Sequence, residues 1–198
     1  MTDQIKTLFN QEAKKFYLKE NRQFLINENN KKFLDAICKY FAQDLAFESD
    51  YGGELNKGLY VFGGCGLGKT SSFKIIQNIS RKYSMKQLWF PIVGVNTVVL
   101  KYNTSGNDKD YIIRNYSRGK ILFDDLGSET EASNFGKEDI FIRIMEMRYN
   151  EFINKGTKTF ITSNLSFEDI KNRYGLRLYD RFFQMFNQLK LTGETHRY

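Results

Sequence analysis

The sequence predicts an α/β fold, a central and mostly parallel sheet flanked by helices, on three observations. Short apolar runs at 59–62, 121–123 and 159–162 read as buried strands. The longer segments between them repeat apolar residues at helical spacing. The first run passes directly into Gly63-Gly64-Cys65-Gly66-Leu67-Gly68-Lys69-Thr70, which fills every fixed position of G-x-x-x-x-G-K-[ST]. Strands that alternate with helices pair in parallel, and their ligands lie at the carboxyl ends of the strands.

Each element can be justified in order. Residues 3–20 read as a helix, with Ile5, Leu8, Phe9, Ala13, Phe16 and Tyr17 along one stripe. A second helix is predicted over about 29–46, its apolar side carrying Phe33, Ala36, Ile37, Tyr40, Phe41 and Leu45. Ser49-Asp50-Tyr51-Gly52-Gly53 reads as a turn before the first strand. After the glycine-rich loop, Phe73, Ile75, Ile76 and Ile79 mark a helix. Residues 88–92 read as a second strand, with Pro91 favouring an edge or a strand end. Residues 95–118 read as one or two short helices around the polar stretch 103–107. A longer helix is predicted over 138–154, with Phe141, Ile144, Met145, Arg148 and Phe152 near one face and Gly156 as its stop.

The chain has 198 residues, 41% of them hydrophobic, and a single proline. That suits one compact core over residues 55–198 behind a short helical appendage over residues 1–54. No apolar run is long enough to span a membrane, and the start Met-Thr-Asp-Gln-Ile-Lys lacks the character of a secretory signal. Cys38 and Cys65 stand far apart, which excludes zinc-ligand spacing and a disulfide scaffold and makes a reducing cytoplasm the expected location. The net charge of +7 is unevenly placed: residues 1–57 carry nine basic and nine acidic side chains, so the whole excess lies beyond them. Between Asn56 and Asn107 there is no acid, while Lys57, Lys69, Lys74, Arg81, Lys82, Lys86 and Lys101 fall there. A face of that kind suits a polyanion such as DNA or RNA, or simply a well-solvated surface.

The loop residues Gly63, Gly64, Cys65, Gly66, Leu67, Gly68, Lys69, Thr70 and Ser71 form the candidate nucleotide site. Glycines permit positive φ, so that successive N–H groups converge on phosphate oxygens. Lys69 adds a mobile charge for the outer phosphates. Thr70 offers a hydroxyl to Mg²⁺ and opens a helix whose N-terminal dipole favours anions. Downstream, the apolar run 121–123 delivers Asp124 and Asp125 to the end of a strand. Asp124 is placed to hold Mg²⁺, and Asp125 to orient or polarise an attacking water. Ser163-Asn164 ends the next strand, where the Asn164 amide could sense a γ-phosphate or simply cap the following helix, as Ser166 also could. Arg177 and Arg181, four apart, share a helix face and suit phosphate recognition, unless they pair with Asp180 or Glu168.

Taken in order, the phosphate loop, F-D-D-L-G-S-E, a helix ending in M-R-Y, T-F-I-T-S-N-L-S and Y-G-L-R-L-Y-D-R-F resemble the DnaC/IstB branch of AAA+ ATPases, over roughly residues 55–192. The resemblance implies an AAA+ core without a C-terminal helical lid, with ATP and Mg²⁺ as cofactors. It implies Lys69 and Thr70 at the nucleotide, Asp124 and Asp125 as the second acidic motif, Asn164 as first sensor and Arg181 as an arginine finger. The finger would act in trans, so that hydrolysis needs a homo-oligomer, formed on single-stranded DNA. It also implies a DNA-contacting insertion over about residues 94–119. There Lys101, Arg114, Arg118 and Lys120, interleaved with Tyr102, Tyr111 and Tyr116, fit backbone attraction and base stacking. Two features depart from the family. Only residues 1–54 precede the core, where loaders usually carry more, so that the protein partner is either a replicative helicase or a transposase. Asp125 stands where many AAA+ ATPases have Glu, which predicts slow turnover.

The function expected is therefore an ATPase that loads a helicase onto single-stranded DNA in replication. The alternatives are an IstB-like transposition helper, a P-loop small-molecule kinase and a nucleotide switch that does not hydrolyse. A kinase would carry an arginine-rich lid and an acceptor pocket, which the sequence does not display, and it leaves Asn164 and Arg181 without a role.

Overall fold

The computed structural model describes residues 1–128 and 140–193. In chain order its elements are α1 (Thr2–Leu18), α2 (Glu28–Phe41), α3 (Ala46–Tyr51), β1 (Gly58–Phe62), α4 (Lys69–Lys82), β2 (Ile92–Gly94), α5 (Val95–Thr104), α6 (Lys109–Ser117), β3 (Ile121–Leu126), α7 (Ile140–Lys155), β4 (Thr159–Ser163), α8 (Phe167–Tyr174), α9 (Leu176–Met185) and β5 (Phe186–Lys190). They divide into two compact units, Met1–Leu55 with Gly63–Phe90 and Leu189–Tyr198, and Asn56–Phe62 with Pro91–Gln188.

The second unit carries the sheet, in the order β2-β3-β4-β1-β5. β1 with β4, β3 with β4 and β2 with β3 all pair in parallel, as the alternation of strands and helices predicts. Leu59, Tyr60 and Val61 of β1, like Leu122 and Phe123 of β3, are shut off from solvent. Gly58 is required by close approach, since a Cβ there would sit 1.8 Å from the Thr159 carbonyl oxygen. On one face the aromatic residues Tyr60, Phe123, Phe141, Phe167, Phe182 and Phe186 build a continuous core with α5 to α9. Burial of each such side chain stabilises by roughly 1.5–3 kcal/mol.

The first unit has its own core. Phe41, Phe73 and Phe90 meet in mutual ring contact, Phe41 stacked on Phe90 and edge-on to Phe73. α1 is fastened to α4 by Glu12, whose Oε1 accepts from Lys82 Nζ at 2.6 Å and from the Tyr83 hydroxyl at 3.2 Å. The Lys82 hydrogen bond holds the Glu12 carboxyl below the usual range although burial opposes it.

Two elements depart from their predicted bounds. The second helix stops at Phe41 rather than continuing to 46, because Gln43 takes φ +53° and breaks the backbone path. The Asp44 carboxylate then accepts from the Ala46 N–H, and the segment read as a turn is helical through Tyr51, ending at a left-handed Gly52. The strand expected over 88–92 is a 3-10 turn at Lys86–Leu88, followed by the three-residue edge strand β2. Phe90 is drawn into the core, and its carbonyl accepts from the Gln77 amide at 2.8 Å. The Pro91 carbonyl accepts from the Leu122 N–H beside the start of β2.

Candidate functional site

The glycine-rich loop begins where β1 ends. Gly63, Gly66 and Gly68 have φ of +148°, +78° and +97°, conformations that side-chain-bearing residues rarely adopt. Gly63 has a second constraint, since a Cβ would lie 2.0 Å from the Leu191 carbonyl oxygen. Leu67 is buried and anchors the loop, whereas Gly64 and Cys65 are exposed at its crest. Gly68 forms the N-terminal boundary of α4, and Lys69, Thr70 and Ser71 make its first turn, where N–H groups lack helical partners. No acid lies in that turn to compete for an anion. The Lys69 side chain is buried and curls into the loop, donating to the Gly63 and Gly64 carbonyls at 2.8 and 2.7 Å.

Beside the loop, and within the same unit, a small cleft of about 50 Å³ opens between the α1–α2 connection and the start of α4. Its walls include Tyr17, Phe24, Leu34, Leu67, Gly68 and Ile75. Tyr17 stacks on Phe24 at 5.7 Å, and the Arg22 guanidinium lies over the Tyr17 ring. At that size it is well below an ordinary small-molecule pocket. Nothing in the chain's motifs pointed to this cleft; the aromatic spacing Tyr17, Phe24 was its only trace.

In the sheet-bearing unit, Asp124 and Asp125 stand near the carboxyl end of β3. Ile121, Leu122 and Phe123 pair in step with β4, but Leu126 next pairs with Ser163, so that three steps on β3 match two on β4. The bulge sets Asp124 and Asp125 together against the single residue Thr162. Asp125 takes φ +62°, a left-handed conformation costing a non-glycine residue about 1 kcal/mol. Thr162, itself buried, holds both acids: its hydroxyl donates to Asp124 Oδ1 at 2.6 Å and accepts from the Asp125 N–H at 2.9 Å. The Ser128 hydroxyl donates to the Asp125 carbonyl at 2.7 Å. Asp124 is half-buried and Asp125 exposed. Asn164 is exposed immediately beyond β4, and Ser166 is the residue that caps α8, in a reciprocal box with Asp169. β3 and β4 are adjacent, so the sheet brings Asp124, Asp125 and Asn164 to neighbouring strand ends.

Arg177 and Arg181 do share a face of α9, but their partner is neither Asp180 nor Glu168. Both reach Glu146 Oε1 on α7, at 3.2 Å from Arg177 Nε and 3.1 Å from Arg181 Nη1. The Arg181 contact is ionic and not a hydrogen bond, because no N–H points along it. The Arg181 guanidinium also covers the Tyr149 ring at 4.7 Å and is only 18% exposed, against 74% for Arg177.

In the basic segment the tyrosines part company. Tyr116 is buried and accepts from Lys101 Nζ at 3.1 Å, and Tyr102 is packed against the core beneath Lys109. The Tyr116 ring is not free for base stacking, which corrects that expectation, whereas Tyr102 is half-buried. Tyr111 is 67% exposed, and Arg114 and Arg118 are exposed with it. Among the described residues no helix is long and apolar enough to cross a membrane.

No protein-family model matches the chain, and no curated protein matches it. Solved structures do. A candidate primosome component from Streptococcus pyogenes serotype M3 is 18% identical with a TM-score of 0.57, the match covering 86% of this chain and 84% of that one. DnaI is 21% identical with a TM-score of 0.59 over 88% of this chain and 87% of its own. The replication initiator DnaA, bound to AMPPCP and single-stranded DNA, is 16% identical with a TM-score of 0.59, and this chain spans half its length. The chain thus shares the fold of these replication proteins, an α/β core with a parallel sheet flanked by helices. The overlap extends over most of both chains for the primosome component and for DnaI.

Proposed function

We propose that this protein binds and hydrolyses ATP with Mg²⁺ and acts in DNA replication as a DnaC-like helicase loader on single-stranded DNA. The observation that carries the proposal is the glycine loop set between β1 and α4 with Lys69 already turned inward. An entering triphosphate exchanges two neutral carbonyl acceptors of Lys69 for charged phosphate oxygens, which make the stronger hydrogen bonds.

Mg²⁺ favours oxygen donors and takes few of them from protein, sharing the rest between phosphates and water. A carboxylate at Asp124 and a hydroxyl at Thr70 fit that donor set. The ion, when bound, would neutralise charge developing on the phosphates. Asp125 is assigned the attacking water, Asn164 the sensing of the γ-phosphate, and Arg181 the site of a neighbouring copy. The likeness to DnaI over most of both chains favours a loader above a transposition helper. The DnaA structure with single-stranded DNA and the excess of basic residues beyond residue 57 support a nucleic-acid partner.

Calorimetry with ATP and Mg²⁺ tests the proposal. The wild-type protein should bind, and Lys69→Ala should abolish binding while the protein stays folded. Absence of heat from the wild-type protein would exclude the ATPase.

A further inference from the structure

We infer that Thr162 is a positioning residue for the hydrolytic centre, one hydroxyl that fixes the carboxylate of Asp124 and the backbone of Asp125 together. The inference rests on the ATPase function proposed above and extends it to a residue on a different strand from either acid.

The geometry leaves the hydroxyl a specific task. In a regular ladder the N–H of Asp125 would have a backbone acceptor on β4 or face away from it. The bulge between Phe123 and Leu126 breaks that pattern, and the Asp125 N–H is satisfied by the Thr162 side chain at 2.9 Å. The same oxygen carries one proton, and it is directed to Asp124 Oδ1 at 2.6 Å. A hydroxyl has one donor and two acceptor sites, so a single Thr can do both at once. Valine has the same shape and can do neither. Serine can do both but lacks the methyl group that limits rotation about χ1.

The consequence concerns both acids. A carboxylate with one oxygen held on a buried, rotationally restricted hydroxyl has few orientations left for the other. Asp125 is held in the left-handed region, where the cost of about 1 kcal/mol must be met by its surroundings. The hydrogen bond to Thr162 and the Ser128 hydroxyl and N–H on the Asp125 carbonyl are contacts that meet it. Thr162 is 1% exposed, so its oxygen is screened from bulk water that would compete for either partner.

The test compares Thr162→Val and Thr162→Ser with the wild type in three measurements. Amide hydrogen exchange, read by NMR without nucleotide, should show the Asp125 N–H protected in the wild type and in Thr162→Ser, and exchanging at least tenfold faster in Thr162→Val. The Mg²⁺ concentration that half-saturates binding of a fluorescent ATP analogue should rise about 10–100-fold in Thr162→Val, the range for loss of a residue that orients a metal ligand. Thr162→Ser should restore most of it. Affinity for the analogue in EDTA should be unchanged in both. Turnover should fall with the Mg²⁺ response. A folded Thr162→Val protein with wild-type Mg²⁺ dependence and turnover would overturn the inference. Should Thr162→Val not fold, the wild type decides: an Asp125 amide exchanging as fast as unstructured chain overturns it too. A wild type that ignores ATP but protects the Asp125 amide would instead sink the ATPase function and leave the hydroxyl's hold on the acids intact.

Discussion

Arg148 is the largest fully buried side chain among the described residues, and its hydrogen bonds go to neutral acceptors. Its guanidinium donates to the Thr159 hydroxyl and to the carbonyls of Tyr116 and Gly119 at 2.7 to 2.8 Å, and it lies over the Phe123 ring. Burial pushes its pKa down from the ordinary arginine value, with Glu151 opposing. Replacement by methionine keeps the volume but leaves those acceptors without a donor. We predict that Arg148→Met destabilises the fold by about 3 kcal/mol and lowers the melting temperature by roughly 10 °C, read by thermal unfolding. Single residues differ in how far the sequence announces them. Gly63, Gly66 and Gly68 were legible because positive φ restricts the residue type wherever it occurs. Arg148 was readable as facing the core, but not as a clamp, since its acceptors lie on α6 and β4 at positions no local pattern relates. Thr162 was hidden for a similar reason: its task exists only because the β3–β4 register slips by one residue.

Among elements, α1, α2 and α3 are joined through Asp35. It accepts from Lys6 of α1, from Lys39 of its own helix and from the Tyr51 hydroxyl of α3. Burial alone would raise the Asp35 pKa, but hydrogen bonds from Lys39, Lys6 and Tyr51 outweigh it and hold the carboxyl down at about 2, against an ordinary 3.8. A carboxyl lowered by folding stabilises the native state above its unfolded pKa and loses that contribution as pH falls toward the folded value. The window is therefore about pH 4 down to pH 2. Asp35→Asn should cost about 1–2 kcal/mol at pH 7, the upper figure discounted for partial exposure. Most of the difference from wild type should be gone at about pH 2 and the rest lost below it, as denaturant melts at a series of pH values would show. A constant gap across that series would refute the assignment. Helices and strands with a full apolar stripe were placed by the sequence to within a few residues. The errors fell where an apolar residue served something else. Leu45 extended the predicted second helix on paper, yet it is 73% exposed beyond the break at Gln43. Phe90 belongs to a core and not to a strand.

For the whole molecule, the question is whether one copy suffices. Arg181 is engaged by Glu146 and Tyr149 of its own chain, so service at a neighbour's nucleotide requires it to leave both. We predict that Arg181→Ala keeps ATP binding largely intact and loses DNA-stimulated hydrolysis. We also predict that a mixture of Asp125→Asn and Arg181→Ala proteins regains part of the lost turnover, because an intact composite site can form between the two. Phosphate release, measured across mixing ratios, checks this. Activity that stays at the sum of the separate variants would exclude a shared site. The α/β class and the nucleotide loop were legible from the chain alone, because a strand, a glycine loop and a helix in sequence are a local matter. The home of the arginine pair was not, because Glu146 lies in a different helix and nothing in spacing links the two.

The corner held by Arg148 carries one more implication. Carbonyls from the end of α6 and a hydroxyl from the start of β4 are bolted to a single guanidinium rooted in α7. These parts cannot shift separately without stranding a charge in a dry interior. The end of α6 and the turn beyond it, beside the exposed Arg114 and Arg118, are thereby tied to the start of β4, the strand that carries Thr162.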